Sequence, residues 1–146
     1  MSKTLSEQIV LVTGAGRGLG AAIAAAFARE GARVAINYRN SQEKAEALAT
    51  KLGDRAMAIQ GDVRDAASVN AMVHTISETW GAPTTLVHNA LADYSFNGDA
   101  RDTLESLTAD ALGAQFGTAV TGALTMIQAV TPAMADQEFG RIITLG

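Results

Sequence analysis

The sequence contains no cysteine, so disulfides, thiolate nucleophiles and cysteine-ligated zinc drop out together. Only 2 of its 146 residues are proline, and a disordered, proline-rich chain is excluded. Basic charge is also short: 11 Lys+Arg stand against 15 Asp+Glu, a formal net charge of -4. No cationic surplus exists to displace counterions from a phosphate backbone, and no nucleic-acid partner is expected. The two histidines, His74 and His88, belong to no His/Asp/Glu cluster at ligand spacing, so no metal is expected either. Long apolar runs are missing. The most apolar stretch, 118–135, contains Gln128 and Pro132 and lies at the short end of a bilayer span, which argues against a membrane helix. Residues 1–10 carry polar groups where a secretion signal needs an apolar core, and the expected setting is cytoplasmic.

What is present is a globular composition, 48% hydrophobic and 18% charged, with 14 glycines. One domain over 1–146 is expected, since the length does not admit a cofactor domain plus a separate substrate domain. Short β-branched runs alternate with alanine-rich helical stretches, the pattern of a parallel sheet with crossover helices. Strands are expected at 8–13, 33–38, 55–60, 84–88 and 141–145. The first is apolar throughout, as a strand buried on both faces must be. Helices are expected at 19–30, closed by Gly31; at 44–52, with Ser41 as N-cap and Gly53 as stop; and from Asp65 to Trp80. In the last of these Val69, Met72, Val73, Ile76 and Trp80 recur at helical spacing. Residues 91–102 read as polar and irregular, and 104–135 as mostly helical. Right-handed crossovers then give an α/β, doubly wound parallel sheet in the order 3-2-1-4-5, with the ligand crevice between strands 1 and 4.

Between the first strand and the first helix stands Thr13-Gly-Ala-Gly-Arg-Gly-Leu-Gly20. In that context glycines let the backbone approach a pyrophosphate, and the free amides of the helix N-terminus face its charge. Leu19 stands where the third glycine of G-x-G-x-x-G would fall, so the pattern is T-G-x-x-x-G-x-G. A glycine-rich turn without ligand is the bland alternative.

With this motif, Gly61-Asp-Val63, Asn89-Ala90 and Gly140-Arg-Ile-Ile-Thr-Leu-Gly146 in order, the chain resembles a short-chain dehydrogenase/reductase over 8–146, nearest the 3-oxoacyl-acyl-carrier-protein reductases. The resemblance implies a Rossmann-type fold and a nicotinamide dinucleotide held at Gly14, Gly16, Arg17, Gly18, Leu19 and Gly20. No acid ends strand 2, where NAD-binding folds place one for the ribose hydroxyls. Tyr38 stands there instead, followed by Arg39 and with Arg17 on the same side. Two guanidiniums suit a 2′-phosphate, so NADP(H) is the expected cofactor; Arg39 as a solvated loop cation is the alternative. By resemblance Asp62 accepts from the adenine amino group and the Val63 amide holds the ring, although an aspartate there is also an ordinary turn residue. Asn89 and Ala90 are expected at the cofactor ribose, with the Asn89 side chain also tying strands together.

Departures from the family pattern are equally specific. Asn-Asn-Ala-Gly appears here as His88-Asn-Ala-Leu91, and His88 reads as a structural histidine or an acid-base group. Tyr94 and Phe96 read as part of a substrate lid or as packing for their own loop. Ala119 occupies the place of an asparagine that holds a water in the family's proton relay. The family's catalytic serine is expected one position past Gly146, and its tyrosine and lysine further on. Tyr38 and Tyr94 have no lysine four residues later, so no catalytic residue is assigned within this chain. The expectation is therefore the cofactor-binding portion, incomplete at the C-terminus, of an NADPH-dependent reductase of a small carbonyl or acyl-thioester substrate. The other reading is a nucleotide-binding or interaction module without turnover. A homo-oligomer is expected, from the exposed fifth strand and because relatives dimerise through the long helix.

Overall fold

Four apolar residues in a row, Ile9–Val12, form β1 and are buried on both faces, and the rest of the molecule is arranged around that strand. The structure is a computed structural model that describes residues 2–92, 99 and 101–146. Four further strands follow in chain order: β2 (Arg33–Tyr38), β3 (Ala56–Gln60), β4 (Thr85–His88) and β5 (Arg141–Thr144). All pairings are parallel, in the order β3-β2-β1-β4-β5. Leu11 sits opposite Ala35 on one side and Leu86 on the other. The helices are α1 (Gly18–Arg29), α2 (Gln42–Leu52), α3 (Ala66–Trp80), α4 (Ala109–Phe116) and α5 (Gly122–Asp136).

Alternate strand residues point to opposite faces, and this splits the core in two. Val10, Val12, Val34, Ile36 and Val87 pack with Ala24 of α1 and Ala45 of α2. Ile9, Leu11, Ala35 and Leu86 pack with Val69, Met72 and Ile76 of α3 and Met126 and Val130 of α5. The alanines of α1 and α2 allow their helices close to the sheet. Asp65 caps α3 by accepting the Ala67 amide at 3.0 Å, and Gly31 and Gly53 adopt the left-handed φ values of 90° and 88° that stop α1 and α2. β5 lies at the edge, with Ile142 and Ile143 exposed.

The expected elements are observed in the expected order, with three local corrections. Ser41 occupies the N-cap position of α2 without accepting a capping bond, because its backbone (φ -91°, ψ 50°) is not in the extended region a cap requires. The helix expected from 104 begins instead at Ala109, with the Thr108 hydroxyl accepting the Ala111 amide at 3.1 Å. Ahead of it Ser106 and Thr103 hydrogen-bond each other's backbone amides, and such local bonds compete with helix formation. Nor is 109–136 a uniform α-helix: a wider π turn, Gly117–Thr121, separates α4 from α5. Pro132 lies inside α5 without ending it. No helix among the described residues is long and apolar enough to cross a membrane.

Leu86 is fully buried at the centre of the sheet. Replacing it by alanine is expected to lower the unfolding free energy by about 3 kcal/mol, measured as a drop in the urea midpoint.

Candidate functional site

Beyond β1 the chain turns through Gly14 at φ 60° and Gly18 at φ 59° before entering α1. Both glycines stand in the left-handed region that side chains avoid. A methyl group at Gly14 would lie 2.9 Å from the Ala90 Cα, and one at Gly20 would meet the Gly14 carbonyl and lie 2.6 Å from Asn89 Nδ2. At Gly18, by contrast, nothing stands within 4 Å, so that position opens onto the cleft. Arg17 is the extended residue before α1 and offers no side-chain cap, and the first turn of α1 carries no acid. The helix therefore presents uncapped amides, an arrangement that favours an anion.

The cleft, of about 430 Å³, lies at the carboxyl ends of β1, β2, β3 and β4. Gly14, Gly16, Arg17, Gly18, Leu19, Tyr38, Arg39, Asp62, Val63, Asn89 and Ala90 all line it. Gly20 does not, because it is buried behind the loop against Gly14 and Asn89. Tyr38 reaches the cleft only marginally, being 7% exposed and packed among Ala15, Ala24 and Ala45. Arg17 also borders an adjoining depression lined by Asn40, Ser41, Gln42, Glu43 and Lys44.

Seven further residues line the cleft without having been assigned a cofactor contact from the sequence: Asn37, Asn40, Ser41, Gly61, Arg64, Leu91 and Thr118. Asn37 was legible as a buried amide in an otherwise apolar strand. Its carbonyl accepts the Ala15 amide at 2.8 Å, its Oδ1 accepts the Gly14 amide at 3.3 Å and its Nδ2 donates to the Gly61 carbonyl at 3.1 Å. One side chain thus ties the glycine loop to the end of β3. Arg64 grips the Asp62 carboxylate, with Nε on Oδ1 at 3.0 Å and Nη2 on Oδ2 at 2.8 Å. The Arg64 amide adds a third bond at 3.0 Å. These bonds outweigh partial burial and, with Arg39 nearby, hold the Asp62 carboxyl down to about 2.

At the end of β4, the Thr13 hydroxyl oxygen accepts the amides of Asn89 at 3.0 Å and Ala90 at 3.1 Å, and lies 3.2 Å from His88 Nδ1. His88 Nε2 lies 3.1 Å from the Thr118 carbonyl, within the π turn. Burial pushes the His88 imidazole below the usual histidine value, against the opposing pull of the Thr118 and Ala119 backbone. Asn89 Nδ2 donates to the carbonyls of Thr13 at 3.3 Å and Gly14 at 3.2 Å. Leu91 is exposed at the rim of the cleft, and Gln115 donates to the Ala92 carbonyl at 2.7 Å. Tyr94 and Phe96, read as lid or packing residues, lie outside the described residues.

A parallel sheet whose connections reverse between β1 and β4, with a glycine loop feeding an uncapped helix at that reversal, is the Rossmann-type architecture. The chain belongs to the short-chain dehydrogenases: the family model for "short chain dehydrogenase" matches residues 8–146. It is 39% identical over 139 residues to the 3-oxoacyl-[acyl-carrier-protein] reductase FabG of Staphylococcus aureus (strain Mu50), a match covering 92% of this chain and 54% of that protein. Sorbitol dehydrogenase of Cereibacter sphaeroides is likewise 39% identical, over 143 residues, 97% of this chain and 53% of that protein. A short chain dehydrogenase from Burkholderia cenocepacia J2315, solved in complex with NADP, superimposes with a TM-score of 0.77 at 35% identity, over 89% of this chain and 52% of that one. For a short chain dehydrogenase from Bacillus anthracis the TM-score is 0.84 at 26% identity, over 96% and 55%. The chain spans about half the length of the curated relatives it matches.

The Arg64 grip on Asp62 predicts a titration. In the intact protein the carboxylate stays charged well below its ordinary 3.8, and the ion pair is lost only as pH falls toward about 2. In Arg64→Ala the Asp62 midpoint, followed by carboxyl carbon NMR, is expected to rise toward the ordinary 3.8, because the guanidinium bonds are lost while desolvation remains, opposed only by the residue-64 amide and Arg39.

Proposed function

We propose that this chain binds NADP(H) for a short-chain oxidoreductase that acts on a small carbonyl or 3-oxoacyl thioester substrate. The observation that carries the proposal is the junction at the β1–β4 reversal, where a left-handed glycine loop meets the uncapped N-terminus of α1. In this reading the pyrophosphate lies over the backbone of Gly14, Gly16 and Gly18 and takes the α1 amides, with Leu19 beside it. Asp62 and the Val63 amide take the adenine. Asn89 and Ala90 border the ribose on the nicotinamide side. Bound there, the dinucleotide supplies or accepts the hydride.

The preference for the 2′-phosphorylated cofactor rests on charge. Arg17 and Arg39 line the cleft beside the end of β2, and Tyr38 stands where an acid for the ribose hydroxyls would repel a phosphate. The relative solved with NADP supports the same choice. The role assigned to this chain is to bind and orient the cofactor. Among the described residues, Tyr38 belongs to the buried core cluster and His88 has both ring nitrogens engaged, so neither is assigned as a proton donor to a carbonyl oxygen.

The partner proposed for the outer face of α4 and α5 is a second copy of the chain. Leu112, Phe116, Val120 and Leu124 recur every four residues, and each is more than half exposed. A row of this kind is self-complementary and suits two-fold packing.

Two outcomes are expected. Each of Arg17→Ala and Arg39→Ala weakens NADPH binding by about tenfold and leaves NADH binding nearly unchanged, read by fluorescence titration; an unchanged ratio overturns the cofactor preference. NADPH bound without turnover of a 3-oxoacyl thioester by the whole protein would favour the binding-module reading. The double variant Phe116→Asp, Leu124→Asp sediments as a monomer where the parent sediments as a dimer.

A further inference from the structure

At 1% exposure, the His88 ring is used neither by the sheet, which employs its backbone, nor by any cofactor contact assigned above. Counting donors and acceptors gives its hydrogen bonds a direction. The Thr13 hydroxyl has one proton and two lone pairs. The amides of Asn89 and Ala90, at 3.0 and 3.1 Å, take both lone pairs. The remaining partner, His88 Nδ1 at 3.2 Å, therefore accepts the hydroxyl proton. With Nδ1 an acceptor, the neutral ring carries its hydrogen on Nε2, which donates to the Thr118 carbonyl at 3.1 Å.

We propose that His88 is a positioning residue for the cofactor cleft. As the neutral Nε2–H tautomer it holds the Thr13 hydroxyl in the orientation that binds both amides, and so sets the Asn89–Ala90 turn against the glycine loop. The contacts run without a gap. A methyl at Gly14 would already lie 2.9 Å from the Ala90 Cα, and Asn89 Nδ2 donates to the Thr13 and Gly14 carbonyls. A displaced turn therefore displaces the loop.

Protonating Nδ1 would aim a third N–H donor at an oxygen whose two lone pairs are both taken, so one of the two amides would have to let go. Among the described residues, the groups that bear on the ring are the Thr13 hydroxyl from β1 and the backbone of Thr118 and Ala119 from the π turn. Across the sheet its register partner on β5 is Thr144. None of these is charged, so none compensates an imidazolium. The sign follows from the depressed pKa: the ordering is fully present above the ordinary histidine value of 6.5 and is lost as pH falls through the lower value that burial imposes on the ring.

The test uses the parent, His88→Asn and His88→Leu. Asparagine keeps an acceptor for the Thr13 hydroxyl in an uncharged side chain and is the residue the family pattern carries here; leucine removes it. Two readouts are needed, because only the second rests on the cofactor-binding reading. The first is the hydrogen-exchange protection of the Asn89 and Ala90 amides by NMR without ligand. The second is NADPH affinity by fluorescence titration, and both are followed from about pH 7.5 to about pH 5. Expected in His88→Leu near neutral pH is about a tenfold loss of protection at both amides and about a tenfold weaker NADPH complex. His88→Asn is expected to keep both quantities near parental values and to lose their acid dependence. Parental protection in a folded His88→Leu overturns the inference, as does a His88→Asn protein that retains the parent's acid dependence. Should His88→Leu fail to fold, the acid profile of His88→Asn against the parent decides alone. A parent that does not bind NADPH refutes the cofactor reading, and the exchange readout still decides the role of His88.

Discussion

The parallel pairing of β1 with β4 is the contact on which the site depends. β1 is bonded on its other side to β2, so the chain must leave it toward one face of the sheet and return beside it from the opposite face. That reversal leaves the carboxyl ends of the two strands without a crossover helix between them. The opening is a consequence of handedness, and it exists before any functional side chain is placed. What the sequence adds is backbone that can enter the opening: Gly14 faces Ala90, and Gly20 faces the Gly14 carbonyl, at separations where no Cβ fits.

Buried polar groups then hold that close approach in place. Asn37 spans from the glycine loop to Gly61, and Thr13 spans from β1 to the residues after β4. Each would be costly in an apolar interior if any of its partners were lost. The two work in different directions, Asn37 toward the end of β3 and Thr13 toward the end of β4. The loop is held at both ends by side chains from the sheet, and its Gly14 and Ala15 amides are already engaged by Asn37.

Much of this was legible in the sequence, for reasons that differ by element. The inner strands β1, β2 and β4 stood out because burial on both faces demands continuous apolar residues, and the left-handed stops at Gly31 and Gly53 because glycine alone takes that conformation freely. The start of α4 was not legible from periodicity: Leu104 and Leu107 suit an amphipathic helix, yet Thr103 and Ser106 draw the backbone into a turn instead. The π turn was hidden for a related reason, since its composition of glycine and β-branched residues weakens a helix without specifying what replaces it. At the site, the glycine and Asp-Val positions followed from motif, whereas Arg64 did not. An arginine two residues past an aspartate gives no sign in one dimension that its fork will close on the carboxylate. Asn37 was readable but unread, an amide in a strand that had room for none without a purpose.

The π turn also changes the geometry of the outer face. In an unbroken α-helix a row of residues spaced by four drifts around the axis, by about 120° over the twelve residues from Leu112 to Leu124. Such a row would begin against solvent and end against the sheet. A turn that accommodates an additional residue advances less per residue and takes back part of that drift, and Leu112, Phe116, Val120 and Leu124 all remain exposed along it. The same local widening that offers the Thr118 carbonyl to His88 inside the molecule straightens a ridge on its outside.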